Sequence, residues 1–373
     1  MPAKLLHVND VVYAYAAGDP SANGGAQRYA WLLARALAGA GWSVVVGVQQ
    51  RLQPGERVRI EGVEFVGLDR CHPSLSWYRA LAREKPDWWL WQCADHWWGP
   101  AVEIAKRAGV RTVFSSMHDH DIHPRTALVR HPRLWPAYAW GLIRTDRIVV
   151  QHEDQLAQLR PRWRSKASIL PGIVTVRTAV RAHAERAPCI AWVGVLRRHK
   201  RPDLLIELAR AMRATRFVVC GGPTTFNTAP GYSERILADL RSLPNVEYLG
   251  QVDPSRTLQI IADAALLLST SDDEGLPSVF LEAWAAGTPV VSLTVDPGRV
   301  IRRLGLGSVP GTLERAKTAV EALLRSPSLR DAIATRATTH IGTAHSEAAA
   351  VQAFEASTLG TCAAFGRVAP TRA

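Results

Sequence analysis

Short apolar runs alternate with stretches of helical periodicity along almost the whole chain, and this pattern constrains the fold more than any other feature. The first unit reads LLHVN (5–9), then a polar, Gly-containing loop to Asn23, then GGAQRYAWLLARALAGAG (24–41). Within the last stretch Tyr29, Leu32, Leu33, Ala36, Leu37 and Ala40 recur at helical spacing, and Gly39 and Gly41 end it. Strands are expected at SVVVGV (43–48), DWWLW (87–91), VRTVFS (110–115), DRIVV (146–150) and ASIL (167–170). Strands separated by helices predict a parallel sheet covered on both faces.

Between 171 and 188 the pattern lapses into PGIVTVRTAVRAHAERAP, which reads as an interdomain connection. A second series follows, with strands at CIAWVG (189–194), RFVVCGG (216–222), NVEYLG (245–250), AALLLST (264–270) and TPVVSL (288–293). Pro202 and Pro254 stand at first-turn helix positions, the latter behind Asp253 as a cap. From about Thr312 the chain is helical and Ala-rich, and its last residues from Gly366 are expected to fray. The predicted class is α/β: two tandem Rossmann-like, doubly wound domains facing across a cleft. Residues 1–172 form the first domain, 173–187 the linker and 188–345 the second domain. Residues 346–373 form a C-terminal helix expected to pack back on the first domain. In such sheets ligands bind beyond the carboxyl ends of the strands, where helix N-termini point.

Composition supports this reading. The 373 residues suffice for about two domains, and 47% apolar content excludes disorder over most of the length. No apolar run approaches the roughly 18 residues that span a bilayer. Asp10 arrives too early for a signal-peptide apolar region. Five scattered cysteines without a CxxC pair predict reduced thiols and a cytoplasmic setting. The net charge is +12, of which residues 1–180 carry +8, and eleven of thirteen tryptophans precede residue 164. Dispersed arginines argue against a nucleic-acid arm. Basic charge with Trp suits an anionic membrane surface or an acceptor groove; alternatively 88–91 is a buried strand beside solvated arginines, with Trp97 and Trp98 left open.

Four segments follow strands and carry chemistry. In SDDEGLPSVFLEAWAAGTPVV (271–291), Glu274 sits in a loop beside the backbone N–H groups of Gly275 and Leu276, with Pro277 leading into a helix. Such donors at a helix start make an anion or sugar-hydroxyl site. Glu282 lies about a turn and a half on, among apolar neighbours, where a charge needs a partner. VGVLRRHKRPD (193–203) holds Lys200, the only lysine between Lys166 and Lys317; by itself it reads as a solvated basic turn. Gly24 and Gly25 open a helix and allow close backbone approach to a diphosphate, although a tight turn explains them equally. SSMHDHDIHP (115–124) offers His118, His120 and His123, a metal-like set that misses the HxHxDH spacing of binuclear zinc hydrolases.

The pair Glu274 and Glu282 with AWAAGTPVV behind it resembles the signature of retaining glycosyltransferases of family 4, which have the GT-B fold. PNVEYLGQV, ALLLSTSDDEGLP, WVGVLRRHKRPDLLIELA and the Gly24–Gly25 helix fit the same pattern, over most of residues 20–305. The resemblance implies transfer of a sugar from a nucleotide-sugar co-substrate, a UDP- or GDP-sugar, to a hydroxyl acceptor with retention. It implies that Glu282 binds the ribose, and that Glu274, Gly275, Leu276 and Pro277 hold the donor sugar. Lys200 then neutralises the departing diphosphate, and His118 contacts the donor sugar.

The chain departs from the family twice. Val195 stands where many members have Arg, so Arg197 or Arg198 is the substitute; Gln27 replaces the usual Glu. No DxD element appears between the first-domain strands, so no obligatory metal or other cofactor is expected. The leaving diphosphate oxygen is expected to deprotonate the acceptor, which is a glycan, a lipid-linked molecule or a small molecule, in cell-envelope or extracellular glycan assembly. A nucleotide-sugar epimerase of the same fold and a zinc hydrolase built on the histidines are the alternatives.

Overall fold

The computed structural model describes residues 2–360 apart from 20, 21, 23, 128, 130, 177–179 and 225–227. The expected fraying from Gly366, and Cys362, lie outside the described residues. Strands β1 (Lys4–Val8), β2 (Ser43–Val48), β3 (Arg57–Ile60), β4 (Val63–Gly67), β5 (Trp88–Gln92), β6 (Arg111–Ser115), β7 (Arg147–Val150) and β8 (Ala167–Ile169) form one sheet. Its order is β3-β4-β2-β1-β5-β6-β7-β8. A second sheet, ordered β11-β10-β9-β12-β13-β14, joins β9 (Ala187–Val193), β10 (Arg216–Cys220), β11 (Val246–Gly250), β12 (Ala264–Ser269), β13 (Val290–Ser292) and β14 (Gly307–Ser308). Every pairing is parallel except β3 with β4.

Each sheet buries both faces, which is why its strands read as continuous apolar runs. Val44, Val46 and Val48 enter one core with Leu5 and Trp88, while Val45 enters the opposite core with Leu6 and Trp89. Trp88, Trp89 and Trp98 are buried. Trp97 is half-buried, its ring 5.8 Å from that of Trp77. The tryptophans of this region are therefore packing residues.

Two elements differ from the sequence expectation. The stretch after β1 is not loop throughout: Asp10–Ala16 is a helix, capped by the Asn9 side-chain oxygen Oδ1, which accepts from Val11 N and Val12 N at 3.0 and 3.3 Å. The hairpin β3–β4 was not expected. Its turn residues Glu61 and Gly62 both have positive φ (45° and 85°), as a two-residue primed turn requires. Its strands are four and five residues long, and β3 is only partly covered.

The helix Glu347–Thr358 returns to the first domain. Phe354 joins the core of Leu37 and Val44, and Trp42 Nε1 donates to Glu355 Oε1 at 3.0 Å. Where the chain passes between the sheets, His345 Nδ1 lies 2.7 Å from the Gly172 carbonyl and Val174 N donates to His345 O at 3.1 Å. Among the described residues no helix is long and apolar enough to cross a membrane.

Among the parallel strands of each sheet the order reverses at one point, between β1 and β5 and between β9 and β12. The segments leaving β9 and β12 are those that carry Lys200 and Glu274. Neighbouring strands at a reversal send their following helices to opposite faces, which opens a crevice at their carboxyl ends.

Candidate active site

Lys200 ends a short 3₁₀ turn, Arg198–Lys200, and its backbone is fixed to the strand next door. Thr270 Oγ1 donates to Lys200 O at 2.7 Å and itself accepts from Trp192 Nε1 at 3.0 Å. Arg201 takes positive φ (48°) and fans onto Asp203 and Asp272 at 2.8–3.2 Å, which ends the turn before the Pro202–Ala211 helix. Gly221 is required beside it, because a Cβ there would lie 1.8 Å from the Gly194 carbonyl oxygen.

So held, the Lys200 ammonium meets the Glu274 carboxylate, and the two side chains are 21% and 14% exposed. Burial pushes the Glu274 carboxyl up, but Lys200, the Ser271 hydroxyl and His199 outweigh it and hold it below its ordinary value. Arg197 also belongs to this field. Burial lowers its guanidinium and the Glu274 charge counters that, whereas Arg198 is exposed. Of the two arginines, Arg197 is the half-buried one and lies within the field of the Glu274 charge.

The Gly275–Pro277 loop faces the first domain. A Cβ at Gly275 would lie 2.4 Å from Met117 O and 3.0 Å from Gln151 Oε1. Leu276 N donates to Gln151 Oε1 at 3.1 Å, so one of the two expected backbone donors is engaged across the cleft. Pro277 precedes the Ser278–Ala285 helix. That helix start opposes the start of Gly25–Gly39: a Cβ at Gly25 would be 2.9 Å from Ser278 Oγ. Gln27 folds its amide over Gly24. Glu282 is only 6% exposed, and its partner is Arg28 of the first domain.

His118 begins the turn Asp119–Ile122. The buried Asp121 carboxylate accepts from Met117 N at 2.8 Å and His118 N at 3.0 Å, and His118 Nδ1 accepts from His120 N at 3.2 Å. The Nε2 atom of His118 is thereby left to face the cleft, 3.7 Å from Asp273 Oδ2. His120 stacks on it at 5.2 Å and lies 2.8 Å from the same oxygen. His123 points elsewhere, to Gln158 at 3.1 Å, so the three-histidine set of the hydrolase alternative does not converge. His118, His120 and Asp273 offer three ligand atoms within 4.8 Å of one another, and His120 and Asp273 also contact each other directly.

A cavity of about 340 Å³ opens beside Glu274, walled by Asp119, His152 and Gln158 of one domain and Asp273 and Asp296 of the other. That volume suits a small-molecule ligand. Sequence reading missed Arg28, Gln151, Asp273 and Ser278, all of which act across the gap. Only Arg28 left a trace, in the demand that Glu282 have a partner.

Residues 24–172 match the family described as glycosyl transferase 4-like domain, and residues 177–340 match glycosyl transferases group 1. A D-inositol 3-phosphate glycosyltransferase of Mycolicibacterium paratuberculosis is 27% identical over 330 residues, 77% of this chain and 72% of the relative. Among solved structures, a sucrose-phosphate synthase from Thermosynechococcus elongatus superposes with a TM-score of 0.72 at 16% identity, covering 94% of this chain and 97% of that one. Anabaena HepE in complex with UDP-glucose superposes at 0.67 and 14% identity, covering 94% and 97%. With two consecutive family matches laid over its two sheets, the chain belongs to the group 1 glycosyltransferases of GT-B fold.

Proposed function

We propose that this glycosyltransferase moves a hexose from a UDP- or GDP-sugar to a hydroxyl acceptor with retention at the anomeric carbon. The observation that carries the reading is the Lys200–Glu274 pair at the strand reversal of the second sheet, on the rim of the interdomain cavity. The UDP-glucose in the HepE complex supports a nucleotide-sugar donor by likeness of fold. Residues 188–345 hold the donor, and residues 1–172 present the acceptor. Glu282 takes the ribose hydroxyls, and Glu274 with Gly275, Leu276 and Pro277 takes the sugar hydroxyls. His118 approaches the sugar from the opposite wall, and the helix start at Gly24 and Gly25 faces the diphosphate.

In the transfer step the acceptor oxygen bonds to the anomeric carbon as the bond to the diphosphate oxygen breaks, and the acceptor proton passes to that leaving oxygen on the same face. Charge accumulates on the diphosphate, where Lys200 and Arg197 stand. The Gly275–Met117 contact excludes water that would otherwise hydrolyse the donor. No step calls for a metal. The basic first domain suits an acidic or membrane-associated acceptor, in cell-envelope or extracellular glycan assembly at the inner membrane face.

The test is a panel of UDP- and GDP-sugars with acceptors including D-inositol 3-phosphate and lipid-linked glycans, read by nucleoside diphosphate release and by proton NMR of the product. The expected result is release that depends on acceptor, with an anomeric configuration equal to the donor's. An inverted product, or a free isomerised sugar formed without acceptor, overturns the reading.

A further inference from the structure

The most buried ion pair between the two domains, among the described residues, joins Arg28 to Glu282, with side chains 15% and 7% exposed. Neither residue can stand alone. A carboxylate as buried as that of Glu282 is strongly unfavourable without a counter-charge. The guanidinium is also largely covered, and burial pulls its pKa below the ordinary value. Each makes the other tolerable.

The proposed function gives Glu282 a second duty. If its oxygens accept from ribose hydroxyls, neutral donors compete for the lone pairs that Arg28 now uses. Arg28 then needs another anion, and the donor carries one. Arg28 lies in the first turn of Gly25–Gly39, its N–H donating to Gly24 O at 3.0 Å. The two helix N-termini that face each other here, at Gly25 and Ser278, mark the same spot as favourable for negative charge. An arginine fork matches phosphate oxygens in pairs, which an ammonium such as Lys200 does not. The second sheet lacks an arginine directly after Gly194, where Val195 is exposed.

We infer that Arg28 is a shuttling counter-ion: it pairs with Glu282 before the donor binds and with the donor's diphosphate afterwards. This rests on the nucleotide-sugar reading above. It makes the cleft self-latched before the donor binds, since the same contact holds both domains, and it makes donor binding an exchange of partners. It also adds a phosphate-binding cation from the first domain to Lys200 and Arg197 of the second, so the diphosphate is gripped from both walls.

The experiment is calorimetric titration of uridine and UDP, and of guanosine and GDP, into wild type, Arg28→Ala, Arg28→Lys and Glu282→Gln, with steady-state kinetics for the donor. For Arg28→Ala the diphosphate is expected to bind about 30-fold or more weaker, while the nucleoside binds equally or better because Glu282 is already free. Donor KM rises more than kcat falls. Arg28→Lys recovers part of the diphosphate affinity. Glu282→Gln moves the ratio the other way: nucleoside affinity drops and the diphosphate-to-nucleoside ratio rises. If Arg28→Ala does not fold, the other two variants still carry opposite signs. A wild type that binds neither UDP nor GDP overturns the donor reading, and this inference with it. A wild type that binds one of them, with variants whose diphosphate-to-nucleoside ratio is unchanged, overturns the inference alone.

Discussion

Gly275 of the second domain presses on Met117 of the first so closely that a methyl group on Gly275 would stand 2.4 Å from the Met117 carbonyl oxygen. Glycine is needed there for closeness rather than for a left-handed turn, since its φ is not positive. Gly275→Ala is therefore expected to hold the domains apart without harming either. A displacement of about 1 Å at a reacting centre costs on the order of 100-fold. Turnover should fall by that order, with a larger share of donor lost to hydrolysis and an unchanged melting temperature. Wild-type turnover in this variant would show that the closed contact is not used.

The Thr270 hydroxyl holds the Lys200 backbone by donating to its carbonyl oxygen, and Glu274 meets the ammonium. Lys200→Ala should reduce kcat by about 100- to 1000-fold, the range found when one oxyanion-stabilising group is removed. Lys200→Arg should not restore it, because a planar fork cannot occupy the place of a compact charge against Glu274. Rate measurements at saturating donor separate this loss from weakened binding.

The alternation of Val44, Val45 and Val46 between two cores made the strands legible, because a strand buried on both faces leaves an unbroken apolar run. The hairpin at 57–67 left no such run. Arg57 and Arg59 interrupt β3, an edge strand that needs charge to discourage further pairing. The Asp10–Ala16 helix was hidden for a different reason. Its seven residues are too few for periodicity, and its anchor is the Asp10 carboxylate accepting from Gln49 N and Gln50 N, far along the chain. In the site, Glu274, Glu282 and Lys200 were readable as motif positions. The residues that meet the site across the gap were not: Arg28 at Glu282, Gln151 at Leu276, and Asp273 at His118 and His120 belong to contacts that exist only after both domains fold and meet.

His118 and Asp121 offer a contrast between contact and support. The Asp121 carboxylate accepts N–H groups from Met117, His118 and Ala94, at 2.8, 3.0 and 3.3 Å. Asp121→Ala should cost about 1–3 kcal/mol of stability for groups left unpaired, and activity as well, because the turn no longer aims His118. His118→Ala should lose activity while its unfolding midpoint stays close to that of wild type. Paired denaturation and transfer assays check both, and equal stability losses would contradict the division.

Three buried histidines set the acid limit of the fold. Burial lowers His7, His183 and His345 from 6.5 to about 4. Above about pH 6.5 both folded and unfolded states are neutral at these sites, and the stability is fully present. As pH falls from 6.5 toward 4, the unfolded chain binds protons that the folded chain refuses. Stability then drops by about 1.4 kcal/mol per pH unit for each histidine. Urea unfolding at pH 7, 6 and 5 should show this slope, and His345→Asn should reduce it by about a third. A slope the variant leaves unchanged would contradict the assignment.

The cleft itself is tested most directly by titrating UDP-glucose and GDP-mannose into wild type, Glu274→Gln and Glu282→Ala. The account predicts that wild type binds at least one of them, that Glu282→Ala weakens sugar-nucleotide and free nucleotide alike, and that Glu274→Gln weakens only the sugar-nucleotide. Equal binding by all three proteins, for a donor the wild type turns over, would contradict it.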